Sequence, residues 1–150
     1  MNEVIVNSKM KLSEHFKLGE LCKTSHNTAD GNIPSHVVIE NLKRLCPWLE
    51  ELRRRYNEPI IINSGYRSPA VNKLAGGAAN SNHLTGCAVD IRTYGMEQAM
   101  RYAVILMDYA DDSNLDFDEI LIEKNSKGSI WLHFAVRPKD NRRKIEFLKA

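Results

Sequence analysis

The sequence predicts a small α+β domain with an at least partly antiparallel sheet flanked by helices, on three observations. Helical periodicity dominates the first third of the chain. Short β-rich runs occupy the remainder, with two helices among them. The last two runs are joined by a short polar hairpin, so those strands are antiparallel neighbours. At 150 residues and 43% hydrophobic, the chain suits one domain with one core. The expected core runs from about residue 12 to 136, with residues 137–150 as a polar, basic tail.

The elements follow in order. "LSEHFKLGELC" reads as a short helix with Ser13 as N-cap and Phe16, Leu18 and Leu21 behind it. "TSHNTADGNIP" is a polar loop marked by Asp30-Gly31. Pro34 and Ser35 then open the strongest helix, with Val38, Leu42, Leu45, Leu49 and Leu52 at intervals of three and four. Pro47 should kink or split it, and Asn57 should end it. "PIIINSGYR" is a β-rich run ending in a turn, and Pro69 starts a small helix that stops at Gly76-Gly77. "GCAVDI" is a strand. "GMEQAMRYAVILMDYA" is a helix expected to bury Met96, Met100, Ala103, Val104 and Met107. "FDEILIE" and "SIWLHFAV" are strands joined by "KNSKG".

Several classes are excluded early. A net charge of +2 and a pI near 8.4 are too mild for a nucleic-acid footprint, and "NRRK" at Asn141–Lys144 is expected to be a solvated end. Cys22, Cys46 and Cys87 are odd in number and form no C-x-x-C pair, so they are read as small core residues rather than a disulfide framework. The N-terminus lacks a secretory pattern, and the apolar run "AVILM" is too short to span a bilayer. A soluble chain made in the cytoplasm is expected.

Strand alternation identifies the faces. In "SIWLHFAV", Ile130, Leu132, Phe134 and Val136 share the core face, so Trp131 and His133 lie opposite. In "GCAVDI", Cys87, Val89 and Ile91 face the core, which leaves Gly86, Ala88 and Asp90 on a face of very small residues. In "EILIE", Glu119, Leu121 and Glu123 face away from the core. If these strands are neighbours, Asp90, His133 and Glu123 converge, and His83 can fold over from the preceding loop. Two imidazoles and a carboxylate are a sufficient donor set for catalytic zinc, which keeps a further position for water. Glu123, as a carboxylate outside that set, could take the water's proton. The plainer alternatives are an interfacial His133, a strand-end acceptor at Asp90 and an exposed Glu123. His15, His26 and His36 are read as surface or loop residues.

Together these residues carry a resemblance. "SNHLTGCAVD" fits the S-x-H-x-x-G-x-A-x-D signature of the M15 zinc peptidases, the D-Ala-D-Ala carboxypeptidase-like murein peptidases. "SGYRS" upstream and "WLH" downstream resemble the companion motifs, and the likeness runs from about Leu12 to Val136. It implies a Hedgehog/D-Ala-D-Ala peptidase-like fold and one zinc per chain on His83, Asp90 and His133. It implies Arg67 as the group that holds a substrate carbonyl or carboxylate, with Ser81 and Trp131 beside it. Peptidoglycan stem peptides with D-amino acids would be the substrates, reached by export or lysis. One departure stands out. Several relatives carry the catalytic acid three residues before the second histidine, where this chain has Ile130 on the core face. Others, including the silent look-alike domain of Hedgehog proteins, end the preceding strand in a glutamate, and Glu123 fits that arrangement. Some relatives also have histidine in place of Trp131. A carboxypeptidase is the leading expectation; a phage-type endopeptidase and a non-catalytic zinc-containing binding module are the alternatives.

Overall fold

The computed structural model describes residues 7–150, so the part of the leader reading that falls on residues 1–6 lies outside the described range. Helix α1 (Leu18–Cys22) and the long α2 (His36–Tyr56) precede β1 (Ile62–Ser64) and α3 (Pro69–Leu74). A 3₁₀ turn (Asn82–Thr85) leads into β2 (Ala88–Arg92), followed by α4 (Met96–Ser113), β3 (Glu119–Lys124), β4 (Ile130–Ala135) and β5 (Lys144–Lys149). The five strands form one sheet in the order β1-β2-β4-β3-β5. All pairings are antiparallel except β3 with β5. The α+β expectation holds.

Helices α2 and α4 cover one face of the sheet and leave the other to the site. The stripe Val38, Leu42, Leu45, Leu49 and Leu52 of α2 is buried, and Leu42, Leu45, Leu49 and Leu52 are fully so. Each such side chain contributes roughly 1.5–3 kcal/mol by leaving water. Trp48 sits at the centre, with its ring 5.0 Å from Tyr109 and 5.3 Å from Phe134. Val89, Ile91, Ile120, Ile122, Leu132 and Phe134 meet these helices from the sheet, as alternation requires. Cys46 and Cys87 are buried, Cys22 is half-buried, and all three are free.

Four expectations are corrected. Ser13 does not cap α1, which begins at Leu18; the Ser13 hydroxyl donates instead to Glu50 on α2 at 2.6 Å. Pro47 does not split α2, because it lies on the solvent-exposed side, where water can serve the carbonyl that loses its amide partner. Helix α4 buries Ala99, Tyr102, Ala103, Leu106 and Ala110, whereas Met96, Met100 and Val104 are exposed. The alanines allow close approach, and Tyr102 meets Tyr56 edge to face at 4.9 Å, so small size outweighs bulk hydrophobicity. Residues 137–150 stay largely exposed, but they are an ordered part of the domain and not a tail. Lys144–Lys149 adds β5 to the sheet, and Arg142 pairs with the fully buried Asp118 at 2.8 Å.

Candidate metal centre

Three strands and one turn build the site on the face away from the helices. Asp90 pairs directly across the ladder with His133, which in turn pairs with Leu121 on β3. His83 arrives from the 3₁₀ turn, where the Ser81 hydroxyl caps the His83 amide at 3.1 Å. Gly86 ends that turn with φ 74°, a left-handed conformation, and a β-carbon there would lie 2.8 Å from the Val38 carbonyl oxygen. Glycine is therefore needed to feed β2 directly from the histidine turn.

The imidazoles are oriented by the protein alone. The Nδ1 of His83 lies 2.6 Å from the Gly65 carbonyl oxygen, and a carbonyl only accepts, so Nδ1 carries the proton and Nε2 faces Asp90. Gly65 itself is pinned against α1: a β-carbon there would sit 2.2 Å from the Leu21 carbonyl oxygen. The Oδ1 of Asp90 lies 3.2 Å from His83 Nε2 and 3.2 Å from His133 Nδ1. One ligand atom from each of the three residues lies within 4.8 Å of the others, and all three residues are buried. Tetrahedral zinc with bonds near 2.0–2.1 Å wants neighbouring donors about 3.3 Å apart, so the donor set fits the ion.

Charge in the site is similarly arranged. Burial alone would push the Asp90 carboxyl up, but the charges and hydrogen bonds of His83 and His133 outweigh it and hold it far below the usual carboxylate range. Without metal, burial works to lower His133, yet its bonds to Asp90 and Glu119 raise it to about 9. The Nη2 of Arg67 donates to the second oxygen of Asp90 at 3.1 Å, and Nε donates to Ser64 at 3.1 Å. Arg67 thus braces the Asp90 carboxylate as well as lining the cleft, which occupies about 570 Å³.

That cleft joins every site residue singled out in the sequence. His83, Asp90, His133, Arg67, Ser81, Trp131 and Glu123 all line it. Glu123 stands opposite Trp131 on the neighbouring strand and accepts its indole N–H at 2.6 Å. Burial, and then the charge of Asp90, raise the Glu123 pKa above its ordinary value. Sequence reasoning places Glu119 on the site face but passes over the group it joins there, formed with Asn82, Asp118, Arg137 and Arg142. Glu119 Oε1 lies 3.0 Å from His133 Nε2 and 2.6 Å from Asn82 Nδ2. The available signal is parity, since Glu119 shares its face of β3 with Glu123.

A buried His-Asp-His donor set on an open sheet face, with a free carboxylate alongside, defines a candidate metallohydrolase centre. Comparison with known proteins agrees. Residues 14–112 match the peptidase M15 family, and the chain belongs to that family. The matched span holds Arg67, His83 and Asp90, while Glu123 and His133 lie beyond it. A curated relative, the zinc D-Ala-D-Ala carboxypeptidase of Streptomyces albus G, is 30% identical over 78 residues. That stretch is 51% of this chain and 31% of the relative, so the chain spans about a third of that protein. Among solved structures, the L-Ala D-Glu endopeptidase ChiX of Serratia marcescens is 23% identical with a TM-score of 0.41. The alignment covers 68% of this chain and 87% of that one.

Proposed function

We propose that the chain is a zinc-dependent peptidase that hydrolyses peptidoglycan stem peptides containing D-amino acids, acting as a D-alanyl-D-alanine carboxypeptidase. The observation that carries this is the spacing of His83, Asp90 and His133, with Glu123 free to face the same cleft. His83 Nε2, Asp90 Oδ1 and His133 Nδ1 would hold one zinc ion. When bound, zinc supplies Lewis acidity to the scissile carbonyl and makes a water acidic enough to react near neutral pH.

The residues divide the remaining work. Glu123 takes the proton of the attacking water and returns it to the departing amine. Its raised pKa suits a group that must both accept and release a proton. Arg67 offers Nη1, which has no protein acceptor among the described residues, to the substrate carbonyl or to a terminal carboxylate. Trp131 and Ser81 flank the peptide. The half-buried Glu123 gives the cleft a proton acceptor beside the donor set, which is why the catalytic reading is preferred over a binding module. Action on the wall would require export or lysis.

Two features favour an endopeptidase as the second reading. Arg67 is already engaged by Asp90, and the cleft runs on from Ala75–Asn80 to Leu148 on β5, leaving room on both sides of the centre. The test compares free, amidated and C-terminally extended versions of one D-Ala-D-Ala peptide with the zinc-loaded protein, read by mass spectrometry. Fastest cleavage of the free form supports the carboxypeptidase, and Arg67→Lys should then recover only part of the activity lost in Arg67→Ala, because an ammonium lacks the guanidinium fork. Equal rates on all three support the endopeptidase. No cleavage of any of them, with zinc bound, overturns the catalytic reading. Elemental analysis should give one zinc per chain, lost on replacing His83 and His133 by alanine.

A further inference from the structure

The carboxylates and amides behind His133 form a continuous chain of contacts that ends in the C-terminal segment. Glu119 Oε1 faces His133 Nε2 at 3.0 Å, on the side of the ring away from Asp90. The same oxygen accepts from Asn82 Nδ2 at 2.6 Å, and the same amide group donates to Asp118 Oδ2 at 2.8 Å. Asn82 has two amide hydrogens and gives one to each carboxylate, while its Oδ1 accepts from Arg137 Nε at 3.0 Å. Asp118 is fully buried and receives Arg142 in a fork, Nε to Oδ1 at 3.0 Å and Nη2 to Oδ2 at 2.8 Å. Arg142 Nη2 also lies 3.5 Å from the second oxygen of Glu119.

These contacts leave Glu119 little freedom. Its oxygens face protein donors, so the carboxylate is fixed where His133 needs an acceptor. An imidazole whose Nε2–H is held by a carboxylate must present Nδ1 as the lone-pair nitrogen, and Nδ1 is the atom beside Asp90. We propose that Glu119 is a positioning residue for the ligand His133, and that Arg142, through Asp118 and Asn82, makes the C-terminal segment a working part of the metal centre. The inference rests on the reading of His83, Asp90 and His133 as metal ligands. It differs from the base role, because Glu119 acts through a histidine and not on substrate.

The test measures metal rather than turnover. Zinc affinity is determined by competition with a chromophoric chelator, and the cobalt(II)-substituted protein is followed by visible absorption. The proteins compared are wild type, Glu119→Gln, Glu119→Ala, Arg142→Ala and the double variant Glu119→Ala/Arg142→Ala. Glu119→Ala should weaken zinc binding about 10–100-fold and change the cobalt spectrum. Glu119→Gln should recover part of the loss, since a carboxamide oxygen still accepts the Nε2–H. Arg142→Ala should cost less and add nothing in the Glu119→Ala background, because both act along one path. If Arg142→Ala does not fold, Arg142→Lys replaces it, with a loss between wild type and Glu119→Ala. Unchanged affinity and spectrum in Glu119→Ala would overturn the proposal while leaving the metal centre standing. Multiplying losses in the double variant would overturn the link to the C-terminal segment. A wild-type protein that binds no metal at His83 and His133 would overturn the centre and this inference together.

Discussion

Glu119 and Glu123 sit on the same face of β3, one pleat repeat to either side of Leu121, and their surroundings differ in nearly every respect. Glu119 meets an imidazole, an amide and an arginine, and although burial works to raise its pKa, the bonds from His133 and Asn82 hold it below the ordinary value. Glu123 receives one indole N–H, and burial followed by the charge of Asp90 raises it. The same side chain is thereby given two trades. A carboxylate saturated with donors stays charged and holds its neighbours in place. One that is desolvated and sparsely bonded can exchange a proton. Position along the strand does not separate them, since parity places both on the site face. Their partners do.

The comparison is most easily broken by removing proton-accepting ability at one position at a time. Glu123→Gln keeps the shape and the contact with Trp131 but cannot take a proton. Turnover should fall on the order of 10²-fold or more while zinc content stays at the wild-type level. Steady-state kinetics with elemental analysis on the same sample checks this. Retained turnover would shift the base elsewhere, and loss of zinc would make Glu123 a ligand.

A smaller effect is expected at Glu119, and of a different kind. At limiting zinc, Glu119→Ala should lose activity in proportion to its emptied sites, and saturating zinc should restore much of the rate. The measurement is turnover as a function of free zinc. A loss that saturating zinc does not relieve would give Glu119 a place among the reacting groups and erase the contrast with Glu123.

Much of this site is legible in the sequence because strand parity is a strict rule. A period of two is enough to put Asp90, His133 and Glu123 on one face, and the small residues of "GCAVDI" mark that face as open. The helix periodicity of α2 is equally plain, since its leucines recur without interruption. What parity and periodicity cannot reach depends on contacts distant in sequence. Residues 137–150 do remain largely exposed, Ile145 and Phe147 included, and what the sequence does not reveal is that Lys144–Lys149 pairs as a strand with β3. The parallel partner β3 lies upstream beyond β4, and Asp118, which anchors the segment through Arg142, belongs to the strand run "FDEILIE" with nothing in the sequence to name its partner. The buried stripe of α4 is hard to find because alanine weighs little on a hydrophobicity scale, while the space available between α4, α2 and the sheet favours it. Arg67 reads as a substrate group or as an arginine bracing the loop after its strand, and its bond to Asp90 emerges only when the turn after β1 is brought against β2.

The smallest of the expected effects isolates the one bond that Glu123 makes. The Trp131 indole N–H donates to Glu123 Oε2 at 2.6 Å and favours the charged carboxylate, opposing the burial that raises its pKa. Trp131→Phe preserves an aromatic wall for the cleft and removes only the donor. With that bond gone, burial acts unopposed by the indole, so the Glu123 pKa rises further. A general base must be deprotonated to work, and the acid limb of kcat/KM should therefore move to higher pH, with the rate above that limb changing little. Glu123→Gln should show no such limb in its residual activity. The check is a pair of pH–rate profiles, Trp131→Phe against wild type, at saturating zinc. A limb that stays in place would mean that the titrating group is not Glu123. A limb that moves to lower pH would mean that the indole destabilises the carboxylate, which would reverse the environment assigned to Glu123 and leave its difference from Glu119 without a cause.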